Sequence, residues 1–414
     1  MTAAYLRRWL VILSVLLVPL VAYADVVTEW NEKALACTIE AKQLPMAASR
    51  TMALVHTAMF DAVNSTVGGY EPYKVKIAAP KGSSPEAAAV AAAHAVLVNL
   101  FPAQKAVLGA EYQKSLAAIA PAGKDAGIAI GEKVAAESCA LRASDGADAP
   151  NKYKPVTSPG VYVPTTLPIA SHWPAVKPWA LERASQFRPA APPALSSEVW
   201  ISDYNEIKKL GGKKSTARTP EQTEIGRFWA ITGPASWDPL VRHLAATPGR
   251  SLVDNARLFA LVEIAGADAV ISVFDAKYTY NFWRPITAIR NGDAAENSPT
   301  AGVADWEPLV DTPMHPEYPC AHCITSVAVG TVLESEFGAG TLAKPVSMTS
   351  PTAPGVTRQW SRIQDYYDEV AVARIYGGMH YRNSTKVGQD MGRKIGRLVV
   401  QSCMKPVGAA AASK

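Results

Sequence analysis

The chain has 414 residues, 49% of them hydrophobic and 19% charged, which is enough apolar sequence for one large domain or two ordinary ones. This composition excludes a disordered or low-complexity protein. The formal net charge is +5 and falls to +3 without the first 24 residues, which is too small an excess to indicate nucleic-acid binding.

The first 24 residues have the organisation of a secretory signal peptide. Arg7 and Arg8 form a basic region, residues 9–21 form a short apolar core, and Ala-Tyr-Ala at 22–24 is a suitable cleavage site. An uncleaved membrane anchor is the alternative, but the apolar run is short for a membrane span. We therefore predict an exported, periplasmic or secreted protein that begins at Asp25 and has no stable membrane span.

Helices dominate the predicted N-terminal region, residues 25–144. Ser84 is a suitable N-cap, Pro85 fits the first helical position, and strong helix formers follow. His56 lies near the apolar face of an earlier helix and is interpreted as a core histidine. The predicted helices of this region cover residues 31–64 (in two pieces), 87–100 and 107–119.

Residues 145–195 contain ten prolines and therefore exclude a long helix. The segment is also aromatic, whereas a proline-rich linker is normally polar. We predict that this irregular segment packs over the body of the protein and covers the entrance of the active site.

Helices resume in the predicted C-terminal region, residues 196–403, which precedes a tail at 404–414. Within 251–276, apolar residues recur every three or four positions, which predicts one buried stripe and places Lys277 just after the helix. Strands are nearly absent, so we predict an all-α fold. The predicted helices of this region cover 196–210, 220–231, 251–276, 321–337, 358–376 and 385–401.

Three sequence blocks in the C-terminal region contain the residue types that suit a tetrahedral oxyanion. Lysine and arginine neutralise the oxygens, and an arginine can bind two of them at once. Histidine can exchange protons near neutral pH, attack phosphorus or bind a metal. The blocks are Lys277-x6-Arg284-Pro285, Pro319-Cys320-Ala321-His322 and Arg374-x3-Gly378-x-His380.

These ordered blocks resemble the pattern of the vanadium-dependent haloperoxidase and type 2 phosphatidic acid phosphatase superfamily. That pattern is Lys-x6-Arg-Pro, Pro-Ser-Gly-His and Ser-Arg-x3-Gly-x-His, and the chain departs from it at Cys320, Ala321 and Ala373. The resemblance implies all-α helical bundles. Three further segments, 26–31, 56–64 and 280–283, resemble secreted bacterial haloperoxidase-like proteins. With them, the resemblance covers about residues 25–403.

The resemblance also implies the roles of the site residues. In the haloperoxidases of the superfamily the last histidine, here His380, binds vanadium, and the histidine of the second block, here His322, exchanges the proton of hydrogen peroxide. Lys277 would polarise the bound peroxide. The implied cofactor is vanadate, and the partners are hydrogen peroxide, a halide and a small organic acceptor. The implied vanadate- or phosphate-binding residues are Lys277, Arg284, Cys320, Ala321 and Arg374.

A periplasmic acid phosphatase that uses the same pocket is the first alternative. In the phosphatases the last histidine forms a phosphohistidine, and an aspartate four residues later usually orients it. Ser384 occupies that position here, which favours the haloperoxidase. A backbone carbonyl would suffice to orient His380 as a metal ligand. A catalytically impaired oxyanion-binding protein is the second alternative.

Two residues give a weak indication of which halide would be oxidised. His315 lies five residues before Cys320 and resembles the halide-site histidine of bromoperoxidases, and Phe274 lies three residues before Lys277. Together they favour bromide or iodide over chloride. The sequence leaves the halide, the organic acceptor and a homodimer open.

The five cysteines are an odd number, so at least one is unpaired within a monomer. Cys320 and Cys323 form a Cys-x-x-Cys pair, which could be a redox dithiol or, with His315 and His322, a zinc site. The interpretation that we favour is two small residues at the start of a helix, with Cys320 tuning the oxyanion pocket.

Overall fold

The computed structural model describes residues 25–292 and 299–408 of the chain. The predicted signal peptide, residues 1–24, and the end of the predicted tail, residues 409–414, lie outside this part. The fold is built almost entirely of helices, as predicted. The N-terminal helices are α1 (Val26–Glu40), α2 (Pro45–Val67), α3 (Pro85–Leu100), α4 (Lys105–Ala118) and α5 (Lys124–Arg142).

Local capping and core packing explain how the N-terminal region is built. The N–H of Ala87 donates to Ser84 Oγ at 3.1 Å, so the predicted cap of α3 is confirmed. His56 of α2 is fully buried, and its ring stacks on Phe259 with the ring centroids 4.9 Å apart. His56 is therefore a core histidine, as predicted, and its contact joins the N-terminal helices to the C-terminal region.

The described part of the C-terminal region contains eight helices. They are α6 (Glu198–Leu210), α7 (Pro220–Phe228), α8 (Asp238–Ala245), α9 (Leu252–Tyr280), α10 (Pro285–Arg290), α11 (Ala321–Phe337), α12 (Ile363–Tyr376) and α13 (Arg382–Ser402), of which α9 is the longest.

Helix α9 differs from the prediction in two respects. It is buried on every side from Asn255 to Lys277, and not along one stripe only, because helices from both halves of the chain pack around it. It also continues to Tyr280, so Lys277 lies in its last turn and not beyond its end. The helix ends where Asn281 adopts a left-handed conformation with φ of 48° and donates its N–H to the carbonyl of Lys277.

The irregular segment 145–195 packs over α9, as predicted. The backbone N–H groups of Trp179, Ala180 and Leu181 donate to the buried carboxylate of Asp268, at 2.7, 2.7 and 2.8 Å. One α9 carboxylate thus satisfies three consecutive donors of a segment that lacks regular structure. The segment contains a short 3-10 helix, Trp173–Ala175, and no α-helix.

The helix predicted to begin at Arg358 begins only at Ile363. The preceding residues form strand β2 (Ala353–Trp360), which pairs antiparallel with β1 (Val346–Ser350). Arg358 opposes Met348 in this hairpin and binds the carboxylate of Glu369 through Nε and Nη2. Its Nη1 also donates to Glu224 of α7 at 2.8 Å, and local sequence does not reveal this partner 134 positions away.

Two glycines of α13 allow close approach to α11. A Cβ at Gly392 would lie 2.4 Å from the carbonyl oxygen of Ile324, and one at Gly388 would lie 2.7 Å from that of Cys320. Both distances are too short for any side chain. The glycines therefore fix the first turns of α11, which carry the second sequence block, against α13.

Among the described residues, no single helix has the length and apolar character needed to cross a membrane. Only the bent pair 85–100 and 102–118, with an angle of 119° between its halves, reaches that length and composition.

Candidate active site

The three sequence blocks converge on one buried site. Lys277 comes from the last turn of α9, Arg284 is the N-cap of α10, and Arg374 comes from the last turn of α12. His380 follows α12 in the loop before α13. All four side chains are at most 1% exposed, so the site lies inside the protein.

Backbone carbonyls of the loop before α11 hold Lys277. Its Nζ donates to the carbonyls of Pro316 and Glu317 at 2.9 and 2.7 Å. Burial lowers the pKa of Lys277 well below its usual value, and the nearby charge of Arg284 lowers it further. A bound anion would oppose both effects, since it favours the charged form of the amine.

Arg284 connects the loop before α11 with the loop before α13. Its Nε donates to the carbonyl of His315 at 2.9 Å and its Nη1 donates to the carbonyl of Met379 at 3.0 Å. Nη1 also lies 3.3 Å from His380 Nε2. Burial lowers the pKa of Arg284 to about 10.

Arg374 retains a free donor. Its Nη1 donates to the carbonyl of Trp229 and its Nη2 contacts Met379 Sδ, whereas its buried Nε has no hydrogen-bond partner. Burial lowers the pKa of Arg374 to about 9, and Arg284 contributes to this shift. An unpaired guanidinium donor among three buried cations fits an oxyanion, because the anion would supply both the acceptor and the missing charge.

Glu317 orients His380. Glu317 Oε1 lies 2.7 Å from His380 Nδ1 and accepts the backbone N–H of Tyr381 at 3.2 Å. Burial lowers the pKa of His380 well below its usual value, with Arg284 as the next cause, so the ring is neutral. Its Nδ1 hydrogen then points to Glu317, and the Nε2 lone pair faces Arg284 Nη1. A metal or a phosphorus atom would have to take the place of this contact to bind Nε2.

The sequence blocks assign no role to Glu317. A backbone carbonyl would have sufficed to orient His380, but a carboxylate does so in the structure. Burial raises the pKa of Glu317 to about 7, against the opposing effects of Lys277 and Arg284. The sequence contains only an indirect signal for this role. Ser384 stands where an aspartate usually orients the histidine, so a carboxylate in that role has to come from another segment.

His322 and Ala321 begin α11, as predicted. His322 Nε2 lies 3.0 Å from the carbonyl oxygen of Ile231. Burial and the charge of Arg374 lower the pKa of His322 well below its usual value. The backbone N–H groups of these two residues lie in the first turn, where the helix itself provides no acceptor.

Cys320 and Cys323 form a disulfide, which corrects the interpretation of two small residues at a helix start. Cys320 is indeed the N-cap of α11, and its Sγ accepts the N–H of Cys323 at 3.2 Å. Neither sulfur carries a hydrogen to donate to an oxyanion, and no thiolate remains for zinc. Of the interpretations considered for this Cys-x-x-Cys pair, a redox dithiol in its oxidised form agrees with the structure.

The two halide-site candidates meet at the edge of the site. The rings of Phe274 and His315 are 5.2 Å apart in an edge-to-face arrangement. Both line a cavity of about 300 Å³ that also reaches Ala321, His322 and His380. Ile169, from the irregular segment, contributes to its wall, so this segment contacts the cavity.

Comparison with known proteins agrees with this arrangement. Residues 257–409 match the family model of the VCPO second helical-bundle domain. These residues contain all three sequence blocks, and the whole helical fold is shared with bacterial vanadium haloperoxidases, as described below. The family model and the shared fold thus agree with the resemblance of the three sequence blocks to the vanadium haloperoxidase and type 2 phosphatidic acid phosphatase superfamily.

Relatives of this superfamily match different shares of the chain. The vanadium chloroperoxidase of Curvularia inaequalis is 26% identical over 268 residues, covering 49% of this chain but only 44% of that relative's length. The crystal structure of the first bacterial vanadium-dependent iodoperoxidase has a TM-score of 0.80 and 24% identity, and covers 92% of this chain and 97% of that one. A holo-type bacterial vanadium-dependent chloroperoxidase has a TM-score of 0.69 and 16% identity, with 86% and 91% covered.

Proposed function

We propose that this protein is a vanadium-dependent haloperoxidase that oxidises a halide with hydrogen peroxide and releases hypohalous acid. The observation that supports this most directly is the match of residues 257–409, which carry the whole site, to the VCPO second helical-bundle domain. The pairing of His380 Nδ1 with Glu317, which presents a neutral imidazole Nε2 to three buried cations, is compatible with a metal ligand. When bound, vanadate would act as a Lewis acid that activates hydrogen peroxide without changing oxidation state.

The residues of the site divide the chemistry among them. Lys277, Arg284 and Arg374 would neutralise the oxygens of vanadate, and the N–H groups at the start of α11 would donate to them. His380 would bind vanadium through Nε2. His322, neutral because burial lowers its pKa, would accept the proton that hydrogen peroxide gives up. Lys277 would also polarise the bound peroxide.

We propose bromide or iodide as the preferred halide. The edge-to-face contact of Phe274 with His315 supports this choice, because it forms a surface beside the site that is partly apolar. Larger halides are less strongly hydrated, so moving them from water to such a surface costs less free energy. A halide series under otherwise equal conditions tests it. Chloride turnover above that of bromide and iodide would contradict the preference.

An acid phosphatase remains the second candidate, and one observation favours it. Ser384 replaces the usual aspartate, but Glu317 supplies a carboxylate to His380 all the same. A histidine oriented in this way could form a phosphohistidine as well as bind a metal. The absence of the aspartate therefore no longer separates the two activities.

A paired assay on the mature chain separates them. The protein is stripped of phosphate, and one half is loaded with vanadate. We expect vanadate-dependent bromination of a dye by peroxide and bromide, and little hydrolysis of p-nitrophenyl phosphate by the unloaded half. Phosphate release that vanadate inhibits, without bromination, would establish the phosphatase instead.

His380 is the residue to test in the same samples. We expect His380→Ala to abolish vanadate binding measured by calorimetry, because it removes the metal ligand while the three cations remain. Unchanged vanadate affinity in a folded His380→Ala variant would exclude His380 as the ligand.

We also propose export, on the basis of the first 24 residues. Chain recovered from the periplasm or medium should begin at Asp25 by N-terminal sequencing. Recovery of the uncleaved chain from the membrane fraction would favour the anchor instead.

A further inference from the structure

The cavity next to the catalytic histidines is far more apolar than the proposed small reactants require. Its walls include Met46, Val270, Val273 and Trp237, in addition to Phe274. Hydrogen peroxide and halide ions are small and hydrophilic, and a polar channel would admit them at lower cost. Apolar walls of this kind are typical of sites that bind an organic molecule.

The volume of the cavity limits the size of such a molecule. At about 300 Å³ it lies at the lower end of the range of ligand pockets, which suits one aromatic ring with a short substituent. Trp237 and Phe274 offer aromatic surfaces to a ring. Because His322 and His380 also line the cavity, a ring bound there would lie against the site at which the halide is oxidised.

The rim of the cavity has a different chemistry. Asp311 is exposed there and forms no ion pair with any described residue. The neighbouring Thr312 also lines the cavity, and its buried Oγ1 has no hydrogen-bond partner. The exposed carboxylate of Asp311 therefore offers a charged acceptor to a protonated amine.

We infer that this cavity binds the organic acceptor itself, as a single-ring aromatic compound with a short cationic side chain. The ring occupies the apolar body of the cavity, and the ammonium group binds the carboxylate of Asp311 at the rim. This inference rests on the proposed haloperoxidase function for its chemical outcome: hypobromous acid transfers bromine to a ring carbon, the displaced proton leaves with the hydroxide, and the products are bromoarene and water.

The binding test uses three phenols that differ in the charge of the side chain: tyramine (cation), 4-ethylphenol (neutral) and 4-hydroxyphenylacetate (anion). Calorimetry on the vanadate-loaded mature chain, in which the three cations are already occupied by an anion, should rank their affinities in that order. We expect tyramine to lead 4-ethylphenol by about two- to fivefold, the usual effect of one partly exposed charge pair. Equal affinities, or no binding of tyramine, would overturn the inference whatever the enzyme catalyses.

Asp311→Asn removes the charge and keeps the shape of the side chain. It should reduce the affinity for tyramine to that for 4-ethylphenol, and leave 4-ethylphenol unchanged. Asp305→Asn is the matched control, because Asp305 is 79% exposed and lies away from the cavity. Equal loss of tyramine binding in both variants would contradict a role for Asp311.

Turnover gives an independent result. Tyramine and 4-ethylphenol compete for bromination, and the product ratio is compared with that produced by hypobromous acid alone. Bromination within the cavity should shift the ratio towards tyramine, and Asp311→Asn should restore the chemical ratio. If the wild-type enzyme gives the same product ratio as hypobromous acid without enzyme, free hypobromous acid is released and the inference is overturned. Absence of any bromination would contradict the proposed function and leave the binding result standing.

Oxidation of Met46 measures how much hypobromous acid is present in the cavity. Its thioether is 4% exposed and lines the wall, so hypobromous acid that fills the cavity should convert it to sulfoxide, with bromide and a proton as the other products. We expect less Met46 sulfoxide during turnover with tyramine than with 4-hydroxyphenylacetate. Met391, which is buried elsewhere, is the internal control. Equal oxidation of Met46 with both phenols would contradict capture within the cavity.

Discussion

His380 Nδ1 lies 2.7 Å from Glu317 Oε1, with both side chains buried. The carboxylate sits on the loop that also gives two carbonyl oxygens to Lys277, so one loop orients the imidazole and one of the three cations. This contact determines which nitrogen of His380 faces the anion, and it was not expected from the sequence blocks.

Glu317→Gln should weaken oxyanion binding. The amide no longer fixes the tautomer of His380, and we expect this effect to outweigh the loss of a negative charge, which by itself would favour an anion. Vanadate affinity should therefore fall by about 10- to 100-fold. Calorimetry on vanadate-free protein measures the change, and circular dichroism shows whether the fold is kept. Vanadate affinity within about twofold of wild type, in a folded variant, would mean that Glu317 does not position His380.

The same variant tests how Glu317 couples stability to pH. Its pKa is about 7 in the folded chain against an ordinary value of 4.5, so the folded state holds the extra proton between these values. The stabilising contribution of Glu317 to the free energy of unfolding is therefore fully present below about pH 4.5 and is lost as pH rises through about 7.

In buffer without phosphate or vanadate, wild type should lose stability relative to Glu317→Gln between about pH 5 and about pH 8, by on the order of 3 kcal/mol at most. Denaturant unfolding at both pH values measures this difference. A constant difference between the two proteins would exclude the raised pKa.

Cys320→Ser should keep turnover or raise it by up to about fivefold, the effect of one new hydrogen bond of about 1 kcal/mol. The serine replaces a disulfide sulfur that cannot donate with a hydroxyl that can. Cys323→Ser is the matched control, because it also removes the disulfide but leaves a thiol at 320. Total loss of activity in Cys320→Ser alone would show that the sulfur itself is required.

Asp268→Asn should destabilise the fold by about 2 kcal/mol, because an amide cannot accept three backbone N–H groups as the carboxylate does. Asp275→Asn is the control on the same helix. Its ion pair with Arg188 is partly exposed and should contribute less than about 1 kcal/mol. Denaturant unfolding compares the two, and equal losses would contradict a special role for Asp268.

Much of the local structure could be predicted because its causes are local. Ser84 and Pro85 indicate where α3 begins, and ten prolines exclude a helix from residues 145–195. The second sequence block begins a helix, as predicted, and the cations and histidines of the three blocks do meet. Side-chain type and spacing sufficed for these, since each depends on a few neighbouring residues.

The sequence by itself determined the helical class and which cations and histidines are the candidates for an oxyanion site. Only the tertiary structure decided which groups complete it. Glu317 reaches His380 from 63 positions away, and Arg358 binds Glu224 from 134 positions away, so neither contact has a local signal. The position of Asp311 at the cavity likewise depends on how the loops pack around α9 and α11. Burial and long-range proximity set these contacts, and both arise only when the chain is folded.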